Sequence, residues 1–193
     1  MTVGAFDLLR PESLAEASEL LLKHGDEARP IAGGTTLVIL MNQRVLRFSY
    51  LVDLQGIAGL DQISQENGCI TIGAMATLRS VERSAMVRES VPVLVEAFSK
   101  VGNIRVRETA SVGGNLAHAD YRLDPPPAFL ILCADVIVYG PNGPRTLPLK
   151  DLYLGTYETV LEPGEILVEV KIPVMPGGSR AAYLKYQSLS AND

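Results

Sequence analysis

Two runs of adjacent glycines, AGGTT (Ala32 to Thr36) and SVGGN (Ser111 to Asn115), constrain this chain more than any other feature. Gly33, Gly34, Gly113 and Gly114 carry no side chains, so a ligand or another backbone can approach closely and positive φ is accessible. Hydroxyl and amide groups flank each pair: Thr35 and Thr36 in the first, Ser111 and Asn115 in the second. The first run follows an extended Arg29-Pro30-Ile31 and precedes an apolar helix from Leu37 to Met41. Its N–H groups and the positive helix end can therefore converge on an anion. Alone, AGGTT reads as a plain strand-to-helix turn. It is not the GxGxxG fingerprint, so a Rossmann reading lacks its main support. Together, the two runs suggest loops that clasp a pyrophosphate from both sides with neutral dipoles rather than Lys or Arg.

The patterning changes between the two runs. PESLAEASELLLK (Pro11 to Lys23) predicts an amphipathic helix with Leu14, Ala17, Leu20 and Leu21 on one face and Gly25 as its stop. YLVDL (Tyr50 to Leu54) predicts a buried strand. This first stretch alternates strand and helix, which favours parallel pairing. From Cys69 onward the signals differ. CITIGA alternates like a strand, Thr77 caps a helix reaching Ser84, and Val91 to Val101 reads as another helix. Pro125-Pro126-Pro127 starts a helix at Ala128. Val136 to Tyr139 and Arg145 to Leu147 pair across Pro141-Asn142-Gly143 as a hairpin. EILVEVKI (Glu165 to Ile172) predicts a strand, and Tyr183 to Gln187 one more. The expected division places one lobe over residues 1–56 and a second over 57–178.

Composition narrows the function. A formal net charge of −5, with 17 scattered basic residues, argues against a nucleic-acid binder. No apolar run is long enough to cross a bilayer, and the N-terminus lacks the regions of a signal peptide, so a cytoplasmic protein is expected. Cys69 and Cys133 are too few for an iron–sulfur cluster or a structural zinc, and both read as buried free thiols. Redox chemistry on this chain would need an organic cofactor or a partner.

AGGTT followed by TASVGGNLAHADYRLDPP (Thr109 to Pro126) resembles the FAD-binding subunits of molybdenum hydroxylases of the xanthine dehydrogenase and carbon monoxide dehydrogenase type. LVDLQGIAGL, ITIGAMATL and LYLGTYETVLEPGEILVEVKIP extend the likeness over nearly the whole chain. The resemblance implies an α+β fold of the PCMH flavoprotein type: a small βα lobe, then a larger, mainly antiparallel sheet lobe with helices. FAD would lie between the two. It implies that Ala32, Gly33, Gly34, Thr35 and Thr36 form one pyrophosphate loop, and Ser111, Val112, Gly113, Gly114 and Asn115 the other. Asp124 matches a cofactor-contacting aspartate, although by itself it reads as a helix cap. Ile166 or Leu167 matches an apolar residue near the flavin, and Lys185 a lysine beside the isoalloxazine. The implied partners are a large subunit with the molybdenum cofactor and a small subunit with 2Fe-2S clusters.

The chain departs from the family pattern in two places. Asp120-Tyr121-Arg122 stands where the family reads Ala-Asp-Pro. Residues 179–193 read as the start of a C-terminal domain that is otherwise missing. His118 does not match the pattern of a covalent flavin attachment, and Tyr153, Tyr157 and Tyr183 read as packing residues. No nucleophile–base pair is evident, in keeping with electron transfer. Two other readings are open: a stand-alone flavin oxidoreductase, and a truncated assembly module without flavin.

Overall fold

A computed structural model describes residues 4–186. The N-terminal part builds three short strands around one amphipathic helix. β1 (Asp7–Leu9) leads to α1 (Leu14–His24), then β2 (Ala28–Ile31), α2 (Leu37–Asn42) and β3 (Tyr50–Asp53). Ser13 caps α1 by accepting from the Glu16 N–H, and Gly25 ends it at φ +52°. The strands pair in parallel in the order β1-β3-β2, as the strand–helix alternation predicts.

The second sheet is built from β4 (Ile63–Glu66), β5 (Cys69–Gly73), the hairpin of β6 (Asp135–Gly140) and β7 (Gly143–Pro148), and a central β10 (Ile166–Pro173). It is antiparallel throughout, in the order β4-β5-β10-β6-β7. Between β5 and β6 the chain forms six short helices: α3 (Leu78–Arg83), α4 (Ala85–Ser90), α5 (Pro92–Ser99), α6 (Ile104–Thr109), α7 (Val112–His118) and α8 (Pro125–Ile131). A small antiparallel pair, β8 (Tyr153–Gly155) and β9 (Glu158–Thr159), precedes β10. The arrangement is α+β, as expected.

The helices bury one face of this sheet. Ile70, Ile72, Val136, Val138, Val170 and Ile172 meet Leu78, Val81, Leu94, Phe98 and Phe129. Phe98 and Phe129 pack edge to face at 5.7 Å, and each fully buried side chain of this size contributes roughly 1.5–3 kcal/mol. Register slips between Leu167 and Glu169 in the pairing of β10 with β6. That bulge at Val168 shifts the alternation, so that Leu167 faces the same core as Val170 and Ile172. Leu167 joins the helix-side core, whereas Ile166 and Val168 join Ala17, Leu21, Val52 and Leu54 from the first sheet and its helix. A shared apolar cluster thus ties the two sheets together.

Three local expectations are corrected. Cys133 is exposed, because it sits at φ +52° in the left-handed position that ends α8. The Ala134 N–H bonds to Phe129 O and the Cys133 N–H to Leu130 O, a Schellman closure that turns the side chain outward. Cys69 is only half-buried. Tyr183 to Tyr186 form no strand among the described residues. Gln187 lies outside the described residues, as does the 187–193 part of the expected C-terminal start.

Candidate functional site

The first glycine run forms a tight turn between β2 and α2, with Gly34 at φ +66°. Among the described residues, the five successive N–H groups from Gly33 to Leu37 have no acceptor. Thr36 occupies the N-cap of α2 without a side-chain cap bond, so its hydroxyl is also uncommitted. Successive unspent donors beside a glycine at positive φ are the raw material of an anion nest. Gln55 braces it from behind, donating from Nε2 to Ala32 O at 3.3 Å. Gln55 also lines, with Ile57, Asp61 and Met75, an open pocket of about 340 Å³ to which the turn itself contributes no residue.

The second run is not a loop. Ser111 caps α7, and Gly113 and Gly114 form that helix's first turn. Four of its five backbone donors are already engaged: Val112 N–H on Ala76 O, Gly113 N–H on Ala74 O, Gly114 N–H on Ser111 Oγ, and Asn115 N–H on Ser111 O. What this segment can offer a ligand is therefore mainly side-chain chemistry. Asn115 Oδ1 is buried without a partner, a desolvated acceptor that calls for a donor.

Absent side chains bring the two segments together. A Cβ on Gly33 would sit 1.8 Å from Thr109 O, so the first turn lies directly on the backbone leading into α7. A Cβ on Gly113 would sit 2.5 Å from Ala74 Cβ, and one on Gly114 would come within 4.0 Å of Ala32 Cβ. The two segments expected from sequence, Ala32 to Thr36 and Ser111 to Asn115, thus lie side by side, with Val112 and Gly113 turned into the core. The first segment supplies backbone donors and the second supplies Ser111 and Asn115.

Asp124 and Lys185 are also brought together, with each other. Lys185 Nζ donates to Asp124 Oδ2 at 2.9 Å and to Lys100 O at 3.2 Å. The Tyr183 hydroxyl donates to Asp124 Oδ1. Burial, with the Asp124 carboxylate next to it, pushes the Tyr183 phenol up from its ordinary value. Asp124 stands at the N-cap position of α8 but makes no side-chain cap bond, so the cap expectation gives way to this cluster. Ile166 and Leu167 are 3% and 4% exposed, within the two cores rather than on the glycine surface.

Sequence reasoning missed the group at the far end of α7. Asp120 accepts from Arg122 Nε at 3.0 Å, from Arg122 Nη2 at 2.7 Å and from the Tyr157 hydroxyl at 3.1 Å. The Arg122 hydrogen bonds outweigh burial and hold its carboxyl at about 2. Ala119 (φ +54°) and Tyr157 (φ +63°) face each other through the Tyr157 N–H to Ala119 O bond at 2.8 Å. His118 lies 5.1 Å from the Tyr157 ring, and burial pulls its imidazole pKa down. A signal was present in the sequence: three polar side chains stand where the related pattern has two small or rigid residues.

This geometry fits a dinucleotide with a pyrophosphate. The cradle exists only because Cβ atoms are missing, the donors are neutral and unspent, and a buried acceptor awaits a partner. Among the described residues, no group of three or more His, Cys, Asp and Glu could hold a metal, and no helix is long and apolar enough to cross a membrane.

Comparison with known proteins points the same way. The carbon monoxide dehydrogenase medium chain of Afipia carboxidovorans is 38% identical over 185 residues, covering 96% of this chain and 64% of that one. The xanthine dehydrogenase FAD-binding subunit of Escherichia coli O157:H7 is 29% identical over 186 residues, covering 95% and 63%. The solved carbon monoxide dehydrogenase of Hydrogenophaga pseudoflava superimposes with a TM-score of 0.96 at 33% identity, covering 100% of this chain and 67% of that one. The chain thus spans a little under two thirds of the length of the curated relatives it matches. Residues 4–175 match the family model described as the FAD binding domain in molybdopterin dehydrogenase, and the chain belongs to that family.

Proposed function

We propose that this chain is the FAD-holding part of a molybdenum hydroxylase, relaying electrons rather than performing the hydroxylation. The observation that carries the reading is the run of unspent N–H groups from Gly33 to Leu37, packed against the Ser111–Asn115 segment. The N–H groups and the Thr35 and Thr36 hydroxyls would hold the pyrophosphate, with Ser111 and Asn115 on the opposite wall. Residues 1–56 and 57–178 would act as the two lobes of one site. Asp124 and Lys185 would reach the cofactor as a pair, since each already neutralises the other. Ile166 and Leu167 would support the site from within the cores.

Bound FAD would supply the chemistry, passing between two-electron and one-electron steps. The chain's own residues bind and orient it. Electrons would arrive from 2Fe-2S clusters in a small partner, after oxidation of substrate on molybdenum in a large partner. They would leave to NAD+, oxygen or a quinone-type acceptor. The names of the relatives support this division of labour: one is a medium chain and another an FAD-binding subunit.

The test is an absorbance spectrum of the purified protein passed through gel filtration with added FAD. Flavin bands eluting with the protein support the reading, provided the isolated chain does not turn over small oxidisable substrates. Turnover without partners would make it a stand-alone oxidoreductase. Loss of all flavin from a folded protein would point to an assembly module instead.

A further inference from the structure

The first glycine turn rests on the backbone of Thr109 and Ala110, which leads directly into the second segment. Thr109 ends α6, and its carbonyl fills the space that a Gly33 side chain would need. Ala110 O accepts from the Leu78 N–H at 2.9 Å, and Thr77 pairs with Ser111 in an isolated bridge. α6 has only six residues, too few to hold its place without tertiary contacts.

A polar cluster outside the cofactor surface supplies those contacts. Glu82 on α3 accepts from Arg79 Nη1 at 2.7 Å and from Arg107 Nε at 3.0 Å, through different carboxylate oxygens. Arg107 belongs to α6. Its Nη1 also donates to Val101 O at 3.0 Å and to Gly102 O at 3.3 Å, in the turn that precedes α6. Arg79 Nε lies 3.7 Å from Glu108 Oε1, again on α6. The Arg79, Glu82 and Arg107 side chains are 19%, 15% and 13% exposed. Salt therefore screens this cluster far less than it would a surface pair. One carboxylate bridges two guanidinium groups from two helices; removing it leaves the cations facing each other.

We propose that Glu82 is a positioning residue for the phosphate cradle, fixing α6 against α3 and thereby the spacing between Gly33 and Ser111. The inference rests on the FAD reading above. It assigns to Glu82 a role at a distance: the cluster touches no part of the cradle and acts through Thr109 and Ala110.

The test compares wild type with Glu82→Gln and Glu82→Asp, at a temperature well below unfolding as judged by circular dichroism. FAD affinity is read by quenching of flavin fluorescence, and the cradle by the amide resonances of Gly33 and Ser111 without ligand. Glu82→Gln is expected to weaken FAD binding roughly tenfold or more, as loss of outer-shell partners does at other bound groups. It is also expected to move both resonances, with Glu82→Asp restoring part of each effect. Wild-type affinity and unmoved resonances in Glu82→Gln overturn the proposal. If that variant does not fold, Arg107→Lys keeps the charge but loses the fork. The same two changes are expected there, and their absence overturns the proposal equally. A wild-type protein that binds no FAD refutes the cofactor reading instead, and the two resonances then decide the positioning claim alone.

Discussion

Gly33→Ala is the substitution whose effect follows most directly from the structure. A Cβ at residue 33 would lie 1.8 Å from Thr109 O, 2.7 Å from Thr109 C and 3.1 Å from Ala110 Cα. Real Cβ contacts do not fall below 3.0 Å, so the two backbones must part by at least 1.2 Å, the difference between 3.0 and 1.8. Both partners are backbone, so no side chain can rotate away. Overpacking of this kind costs about 1–3 kcal/mol, which lowers the unfolding midpoint by roughly 2–4 °C per kcal/mol in a chain of this length. The effect on the cofactor is expected to be larger than the effect on stability. A displacement of about 1 Å at a positioned group can cost on the order of 100-fold, and here the shift opens the cradle itself. Gly177→Ala is the matched control, since nothing lies within 4 Å of its Cβ and its φ is not positive. Thermal unfolding and an FAD titration, run on both variants, separate the two effects. Gly33→Ala with wild-type melting and wild-type FAD affinity would refute the claim that the segments touch through this glycine.

Three further outcomes are expected. Gly114→Ala meets Ser111 Oγ at 2.8 Å, with Ala32 Cβ at an ordinary 4.0 Å; that hydroxyl can rotate away, so the cost is the lost cap, about 1 kcal/mol, and calorimetry checks it. Lys185→Met leaves Asp124 with Tyr183 as its remaining side-chain partner in a site where the carboxylate is 10% exposed. Breaking a buried pair this way costs about 3–5 kcal/mol, whereas the double variant Lys185→Met with Asp124→Asn is expected to recover part of that loss in the same denaturant titration. For Asp120 the folded carboxyl titrates at about 2, below its ordinary 3.8. Its contribution is therefore complete only above about pH 5 and is lost as pH falls from there through 2. Melting curves across that window are expected to fall more steeply for wild type than for Asp120→Asn, and parallel curves would contradict the assignment.

The elements legible in the sequence are those whose apolar spacing is strong. α1, α5, β5 and β10 each carry a face that must be buried, and periodicity shows it. The parallel pairing of the first sheet followed from strand–helix alternation, and the β6–β7 hairpin from its turn residues. β4 was missed although Asn67-Gly68 marks its turn, because this edge strand is exposed at three of four positions and shows no alternation. α4 and α6 were missed because six-residue helices leave little pattern; their caps, Ser84 and Asn103, were the available sign. The second glycine run was read as a loop because two glycines disfavour a helix. Its helical state depends on Ala74 O and Ala76 O, acceptors some forty residues away in sequence. The same distance hides side-chain clusters. Resemblance singles out Asp124 and Lys185 separately, and their pairing is visible only in three dimensions. Asp120, Arg122 and Tyr157 form their contacts across a turn and a hairpin that no periodicity announces.

If the first glycine turn, and not the start of α7, supplies the backbone donors for the pyrophosphate, the amide chemical shifts of labelled protein will report it while FAD is added. Large shifts are expected at Gly33, Gly34, Thr35, Thr36 and Leu37. Small ones are expected at Val112 and Gly113, whose N–H groups already bond to Ala76 O and Ala74 O. Riboflavin, which lacks the phosphates, is expected to leave the Gly33–Leu37 amides in place. Unmoved Gly33–Leu37 amides in the presence of bound FAD would show that the pyrophosphate is held elsewhere.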